Sequence, residues 1–265
     1  MNFNELFLNE NEKPLERWIT DGGYCSIFRK IAVIGDSLSS GEFESLDENN
    51  QRNYHDMYEY SWGQFIARTC GSTVYNFSQG GMTAEWYLDS FADVRGLWNR
   101  DLAAQAYIVA LGVNDLFGKK MPVGSVDDIK ENWRDNEKTF AGFYGAVIQR
   151  YREFRPDAKF FLMTMPNDPG PTTELRQQHA KLLYDMAEKF PHTYVLDILQ
   201  YGPVYDQAFK DKFFMSGHMN PMGYLMTAQM TISYIDYIVR HNTEDFKQVG
   251  FIGTPFKNVT VKPKK

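Results

Sequence analysis

Ile31-Ala-Val-Ile-Gly-Asp-Ser-Leu38 decides the reading of this chain. Four apolar residues stop abruptly at Gly35-Asp36-Ser37, the pattern of a buried strand feeding a tight turn that presents a serine. Turns at the carboxyl ends of parallel strands are where open α/β sheets place ligands and chemistry. Flavin- and phosphate-binding loops can look similar, so the turn alone does not settle the function. Three further polar signals follow it: Asn76…Gly81, Gly112-Val-Asn-Asp115 and His218-Met-Asn220. Each falls just beyond an expected strand or just before an expected helix.

Short apolar runs alternate with amphipathic stretches along the chain. Strands are expected near 30–35, 73–77, 106–111, 159–164 and 193–197, and helices near 61–70, 83–91, 126–154, 173–190 and 221–240. Strands separated by helices imply βαβ units and a mostly parallel sheet. Tyr107-Ile-Val-Ala-Leu111 is apolar on both faces, as a strand covered on both sides should be. Ser125-Val-Asp-Asp128 resembles a capping box. Leu175, His179, Leu182, Leu183, Met186 and Phe190 share one helical face. Asn220-Pro221 is a good N-cap followed by proline at the first helical position, and the helix after it is expected to bury Leu225, Ile232, Ile235 and Val239.

The 265 residues suffice for one large α/β domain. Residues 1–28 read as an N-terminal extension and 241–265 as a C-terminal tail. The connection 39–60, polar and then aromatic through Tyr54, Tyr58, Tyr60 and Trp62, is long for a compact domain and could form a lid. Hydrophobic residues make up 43% of the chain, which excludes a disordered polymer, and the net charge of −6 argues against nucleic acid or an anionic membrane held by bulk charge. The basic end Val261-Lys-Pro-Lys-Lys265 reads as a solvated tail. No run approaches the ~20 apolar residues needed to span a bilayer. Two cysteines, Cys25 and Cys70, with no metal-ligand spacing, predict reduced thiols and no metal site. The acidic N-terminus lacks the order of a secretory signal, so a cytoplasmic protein is expected, in which the sequon Asn258-Val-Thr260 carries no meaning.

Ser37 is the candidate nucleophile. A serine needs a base to take its proton and donors for the oxyanion it creates. His218, in a turn before the last helix, is the candidate base. The side-chain amide of Asn114 and the N–H of Gly81, which has no side chain to keep a ligand away, are candidate donors, with Gly80 competing for the same place. Asp36 and Asp115 are read chiefly as residues that shape their turns. Asp36, Gly80, Trp86 and Asp168 are candidate substrate-lining residues. Tyr54, Tyr58, Trp62 and Trp86 could stack on a sugar or acyl chain, or pack at the rim. His179 reads as a core residue, His192 and His241 as helix-end residues, and His55 as a surface residue within reach of substrate.

These blocks resemble the SGNH/GDSL hydrolases, a flavodoxin-like group of esterases and lipases. Gly35-Asp-Ser-Leu38 matches the family's first block, with Ser37 as nucleophile. Asn76-Phe-Ser-Gln-Gly-Gly81 resembles the second, with Gly81 as oxyanion glycine. Gly112-Val-Asn-Asp115 matches the third, with Asn114 as oxyanion donor. His218-Met-Asn-Pro-Met-Gly223 resembles the fifth, with His218 as base. The resemblance implies a three-layer α/β/α fold on a five-stranded parallel sheet and no cofactor. It also implies a serine esterase acting through an acyl-enzyme on short acyl esters, such as acetyl groups on a carbohydrate, with lysophospholipase or thioesterase activity as alternatives. One position departs. The family's usual aspartate, three residues before the histidine, is Met215 here. A backbone carbonyl near Met215 is the favoured substitute to orient the imidazole, and Asp211 is the alternative acid. An impaired enzyme that binds acylated ligands would also fit the loss of the aspartate, and a non-hydrolytic flavodoxin-like binder would instead cradle a phosphate on the backbone N–H groups of Asp36-Ser-Leu-Ser-Ser-Gly41.

Overall fold

The computed structural model describes residue 9 and residues 11–257. The basic end 261–265 and the sequon at Asn258 lie outside the described residues. The expected strands form: β1 (Lys30–Gly35), β4 (Thr73–Ser78), β5 (Ala106–Ala110), β6 (Lys159–Met163) and β7 (Thr193–Leu196). They pair in parallel in the order β4-β1-β5-β6-β7. In chain order of these five strands this is 2-1-3-4-5, the flavodoxin-like winding, whose switch point lies beside the first strand. The carboxyl end of β1 is therefore flanked by β4 and β5, and the turn carrying Ser37 opens between them.

Alternation along each strand builds two cores. Ala32 and Ile34 of β1 and Tyr107 and Val109 of β5 face α3 (Phe140–Phe154) and α4 (Thr173–Lys189). Ile31, Val33, Ala106 and Ile108 face α2 (Trp62–Cys70) and α6 (Pro221–His241), together with Cys25 and Phe28 from the residues before β1. The segment before β1 is thus partly core, and Cys25 and Cys70 are free thiols. Among the described residues, no helix is long and apolar enough to cross a membrane.

Two expected elements differ. The helix read over 126–154 begins only at Phe140, where the Thr139 side chain caps Gly142. The Ser125–Asp128 capping box is present, but it opens a single 3₁₀ turn, Val126–Asp128. A second turn, Trp133–Asp135, is capped by Asn132, and Asn136 bonds the Lys130 N–H and the Gly142 carbonyl. Asn and Asp side chains here offer the backbone partners that a helix would otherwise supply. The connection 39–60 is not irregular: it holds an antiparallel hairpin, β2 (Glu42–Leu46) and β3 (Arg52–Asp56). In α6, Ile232, Ile235 and Val239 are buried as expected, but Leu225 is 37% exposed and lies on the outer face of the first turn.

Candidate active site

Asp36 forms the elbow. Its side chain accepts the Leu38 N–H at 3.1 Å and so caps the four-residue helix α1 (Ser37–Ser40), which Ser37 begins. Gly35 is needed because an added Cβ would sit 2.2 Å from Ser39 Oγ. Asp36 is buried, and that burial pushes its carboxyl up to about 6, against the pull of the Leu38 N–H and His218. Asp36 is thus a buried cap that also lines a cavity beside the elbow.

The third block meets the elbow directly. Asn114 Nδ2 lies 3.4 Å from Asp36 Oδ2 and donates to the Met82 carbonyl at 3.1 Å. Asp115, fully buried, accepts the Ala84 N–H at 2.8 Å and ties this turn to the second block. Gly81 adopts φ 71°, in the left-handed region, inside the turn closed by the Met82 N–H on the Gln79 carbonyl. Gly112, at φ 134°, leaves room for His179, whose Nε2 bonds the Leu111 carbonyl at 3.1 Å. Burial pushes the His179 imidazole down to about 4, which keeps it neutral and makes Nε2–H the donor.

His218 stands in a two-residue hairpin, β8 (Phe214–Met215) against β9 (His218–Met219), turned at Ser216-Gly217 with Ser216 at φ 63°. This hairpin aims the imidazole at β2. Nδ1 is 2.6 Å from Glu44 Oε1, and Nε2 is 3.1 Å from Glu42 Oε1. Residues two apart on a strand share a face, so Glu42 and Glu44 flank one ring. Tyr54 of β3 adds its ring edge-on at 6.0 Å. Glu42 also reaches the second block: a Cβ on Gly80 would lie 2.1 Å from Glu42 Oε2. The Tyr224 hydroxyl donates to the Glu42 carbonyl at 2.7 Å, and Phe43 packs on Tyr60 and Tyr224, which seats β2 over the first turn of α6.

Other expected residues are elsewhere. Asp211, the alternative acid, lies on α5 (Gln207–Phe213) and accepts from Gln207 Nε2 at 2.7 Å, while Glu44, and not a backbone carbonyl near Met215, stands beside Nδ1. Asp168 is engaged by Lys210 at 2.8 Å and Arg176 at 3.6 Å. Trp86 is exposed and packs edge-on against Phe91, and Trp62 is buried in the core where it also lines the cavity beside the elbow. His55 bonds Ser45 across the hairpin. The sequence reading missed Glu42 and Glu44. Their spacing in Glu42-Phe-Glu44 was the available signal, but no apolar periodicity marked the segment as a strand.

A 2-1-3-4-5 sheet presents a serine turn at its first strand, with Asn114 against that turn and His218 held by the strand that follows it, and the family to which the chain belongs makes it an ester-bond hydrolase. The chain belongs to the GDSL-like lipase/acylhydrolase family, whose model matches residues 33–226. Solved structures carry the same fold at low identity. A protein from Lactobacillus plantarum is 16% identical, with a TM-score of 0.59 over 79% of this chain and 97% of its own. An active-site mutant of a family two carbohydrate esterase from Clostridium thermocellum is 16% identical, with a TM-score of 0.54 over 88% of this chain and 66% of its own. A protein named TesA is 16% identical, with a TM-score of 0.51 over 81% of this chain and 98% of its own. No curated protein sequence matches the chain.

Proposed function

We propose that the protein is a single-domain serine esterase that removes short acyl groups through an acyl-enzyme, with Ser37 as nucleophile and His218 as base. The observation that supports this reading is that one block meets the elbow itself while two others meet Glu42, at the start of the strand that follows it. Asn114 reaches Asp36, and His218 reaches Glu42, which in turn lies against Gly80. In this reading Ser37 Oγ attacks the ester carbonyl and His218 Nε2 takes its proton. The Ser37 and Gly81 N–H groups and the Asn114 amide hold the oxyanion. His218 then protonates the departing alcohol and activates the water that releases the acid.

Two features support a small acyl group. A cavity of about 60 Å³ lies beside the elbow, lined by Asp36 and by apolar side chains that include Leu38, Met163, Met165, Ile198 and Met219. Its apolar walls are of the kind that takes a short acyl chain. Exposed Tyr54, Tyr58 and Tyr60 from the hairpin region offer flat faces of the kind that pack on sugars, and structures named as carbohydrate esterases share the fold.

Hydrolysis of p-nitrophenyl acetate, butyrate and octanoate by wild type and Ser37→Ala tests the reading. Turnover that vanishes in the variant and declines from acetate to octanoate is expected. Equal activity in the variant would remove Ser37 from the chemistry, and a preference for octanoate would overturn the short-acyl assignment.

A further inference from the structure

The family's usual acid position is Met215, yet His218 is not without an acid. We infer that Glu44, delivered by the hairpin that follows the nucleophile turn, is the carboxylate that positions His218. The inference rests on the Ser37–His218 reading above and adds the third member to it.

Geometry separates the two glutamates. A base that takes the serine proton at Nε2 must be oriented through Nδ1, because the orienting acceptor fixes which nitrogen carries the hydrogen. Glu44 is the partner at Nδ1, at 2.6 Å. Glu42 is at Nε2, the nitrogen that Ser37 requires, at the longer distance of 3.1 Å.

Their settings differ in the same direction. The Glu44 side chain is 5% exposed and that of Glu42 is 12% exposed. Glu44 Oε1 also accepts the Gly217 N–H at 3.0 Å, and Arg52 Nε lies 3.1 Å from Oε2, in ion-pair range though not aligned as a hydrogen bond. Burial pushes the Glu44 carboxyl up, but the hydrogen bonds from His218 and Ser216 and the Arg52 charge outweigh it, so the group sits below the usual glutamate range. For Glu42, burial wins: its carboxyl is raised despite His218, with Asp56 and Glu44 adding repulsion. Among the described residues, His218 is the only basic side chain in ion-pair range of Glu42. Glu44 is thus held as a fixed carboxylate. Glu42 is the weaker partner and must leave Nε2 before the serine can use it.

The arrangement is built, not incidental. A side chain on Gly217 would bring a Cβ within 2.7 Å of Glu44 Oε1. The hairpin is pinned at its base by the Met57 N–H on the Gly41 carbonyl at 2.9 Å and by Ser40 Oγ on Asp56 Oδ1 at 2.5 Å. These two bonds tie the elbow helix to the hairpin that carries Glu44.

The test compares wild type, Glu44→Gln, Glu44→Asp, Glu42→Gln and Asp211→Asn. It measures kcat and KM on p-nitrophenyl acetate, the rate of fluorophosphonate labelling at Ser37, and the downfield proton resonance of the His218 Nδ1–H. Urea unfolding confirms that each variant folds. Glu44→Gln should lower kcat by about 10²- to 10⁴-fold, slow labelling in parallel and move the Nδ1–H resonance upfield, with KM nearly unchanged. Glu44→Asp, one methylene short but still charged, should recover part of the loss. Asp211→Asn should behave as wild type. A folded Glu44→Gln with wild-type kcat and labelling, or a loss that follows Glu42→Gln or Asp211→Asn instead, would overturn the assignment. Wild-type protein that fluorophosphonate does not label at Ser37 would instead sink the serine-esterase reading on which it stands.

Discussion

Glu44 Oε1 and Gly217 N–H meet at 3.0 Å, across 173 residues of chain, at the same oxygen that faces His218 Nδ1. The contact lets a glycine in an exposed turn set the distance of a buried carboxylate. Gly217→Ala places a methyl 2.7 Å from that oxygen, closer than carbon and oxygen tolerate, and the carboxylate must retreat. A misplacement of about 1 Å can cost on the order of 10²-fold in rate. We therefore expect kcat to fall by at least tenfold, on that order-of-magnitude scale, while the urea midpoint hardly moves, because the turn is solvent-exposed and buries no apolar surface. Steady-state kinetics beside urea unfolding checks this. A variant that keeps full kcat would show that the carboxylate position is not limiting.

Asn114 provides a second prediction. Its Nδ2 is already ordered by the Met82 carbonyl at 3.1 Å and stands 3.4 Å from Asp36 Oδ2, so it faces the elbow without rearrangement. Loss of one oxyanion donor typically costs about 10²–10³ in kcat. Asn114→Ala should show a loss of that size with little change in KM, since the bond strengthens only as charge develops on the oxygen. The Met82 carbonyl then loses a donor, so a stability loss of about 1 kcal/mol should accompany it. A rise in KM at constant kcat would place Asn114 in ground-state binding instead.

The sheet was legible because its strands are buried on both faces and read as unbroken apolar runs, as in Tyr107-Ile-Val-Ala. The elbow was legible because Gly35-Asp36-Ser37 ends such a run. The hairpin was not. All of β3 is exposed and β2 has no fully buried residue, so neither strand carries the alternation that marks a half-buried strand. Glu44 was invisible for a related reason. A search for the acid near His218 in sequence leads to Met215 and Asp211, whereas the carboxylate that reaches Nδ1 arrives from 174 residues away. The overlong helix over 126–154 arose because Ser125 and Asp128 do make a capping box, and a local cap does not reveal how far the helix runs.

Asp115 gives a prediction about stability. It is fully buried, and burial, opposed by the Ala84 N–H, pushes its carboxyl up to about 7. Its Oδ1 accepts that N–H at 2.8 Å, while Oδ2 is buried without a partner among the described residues. Between the ordinary carboxylate pKa of about 4 and the raised value, the folded state holds a proton that the unfolded chain has already released. The folded state then binds more protons, so stability falls as pH rises through this window, by about 2–3 kcal/mol between pH 5 and 8 for a shift of this size. Asp115→Asn keeps an acceptor for Ala84 and cannot ionise. Its stability relative to wild type should therefore climb from pH 5 to about pH 7 and level off toward pH 8. Urea unfolding of both proteins at unit pH steps reads the difference directly. A difference that stays level across this range would mean that Asp115 is already ionised in the folded protein at pH 5, and that the buried oxygen has found a partner.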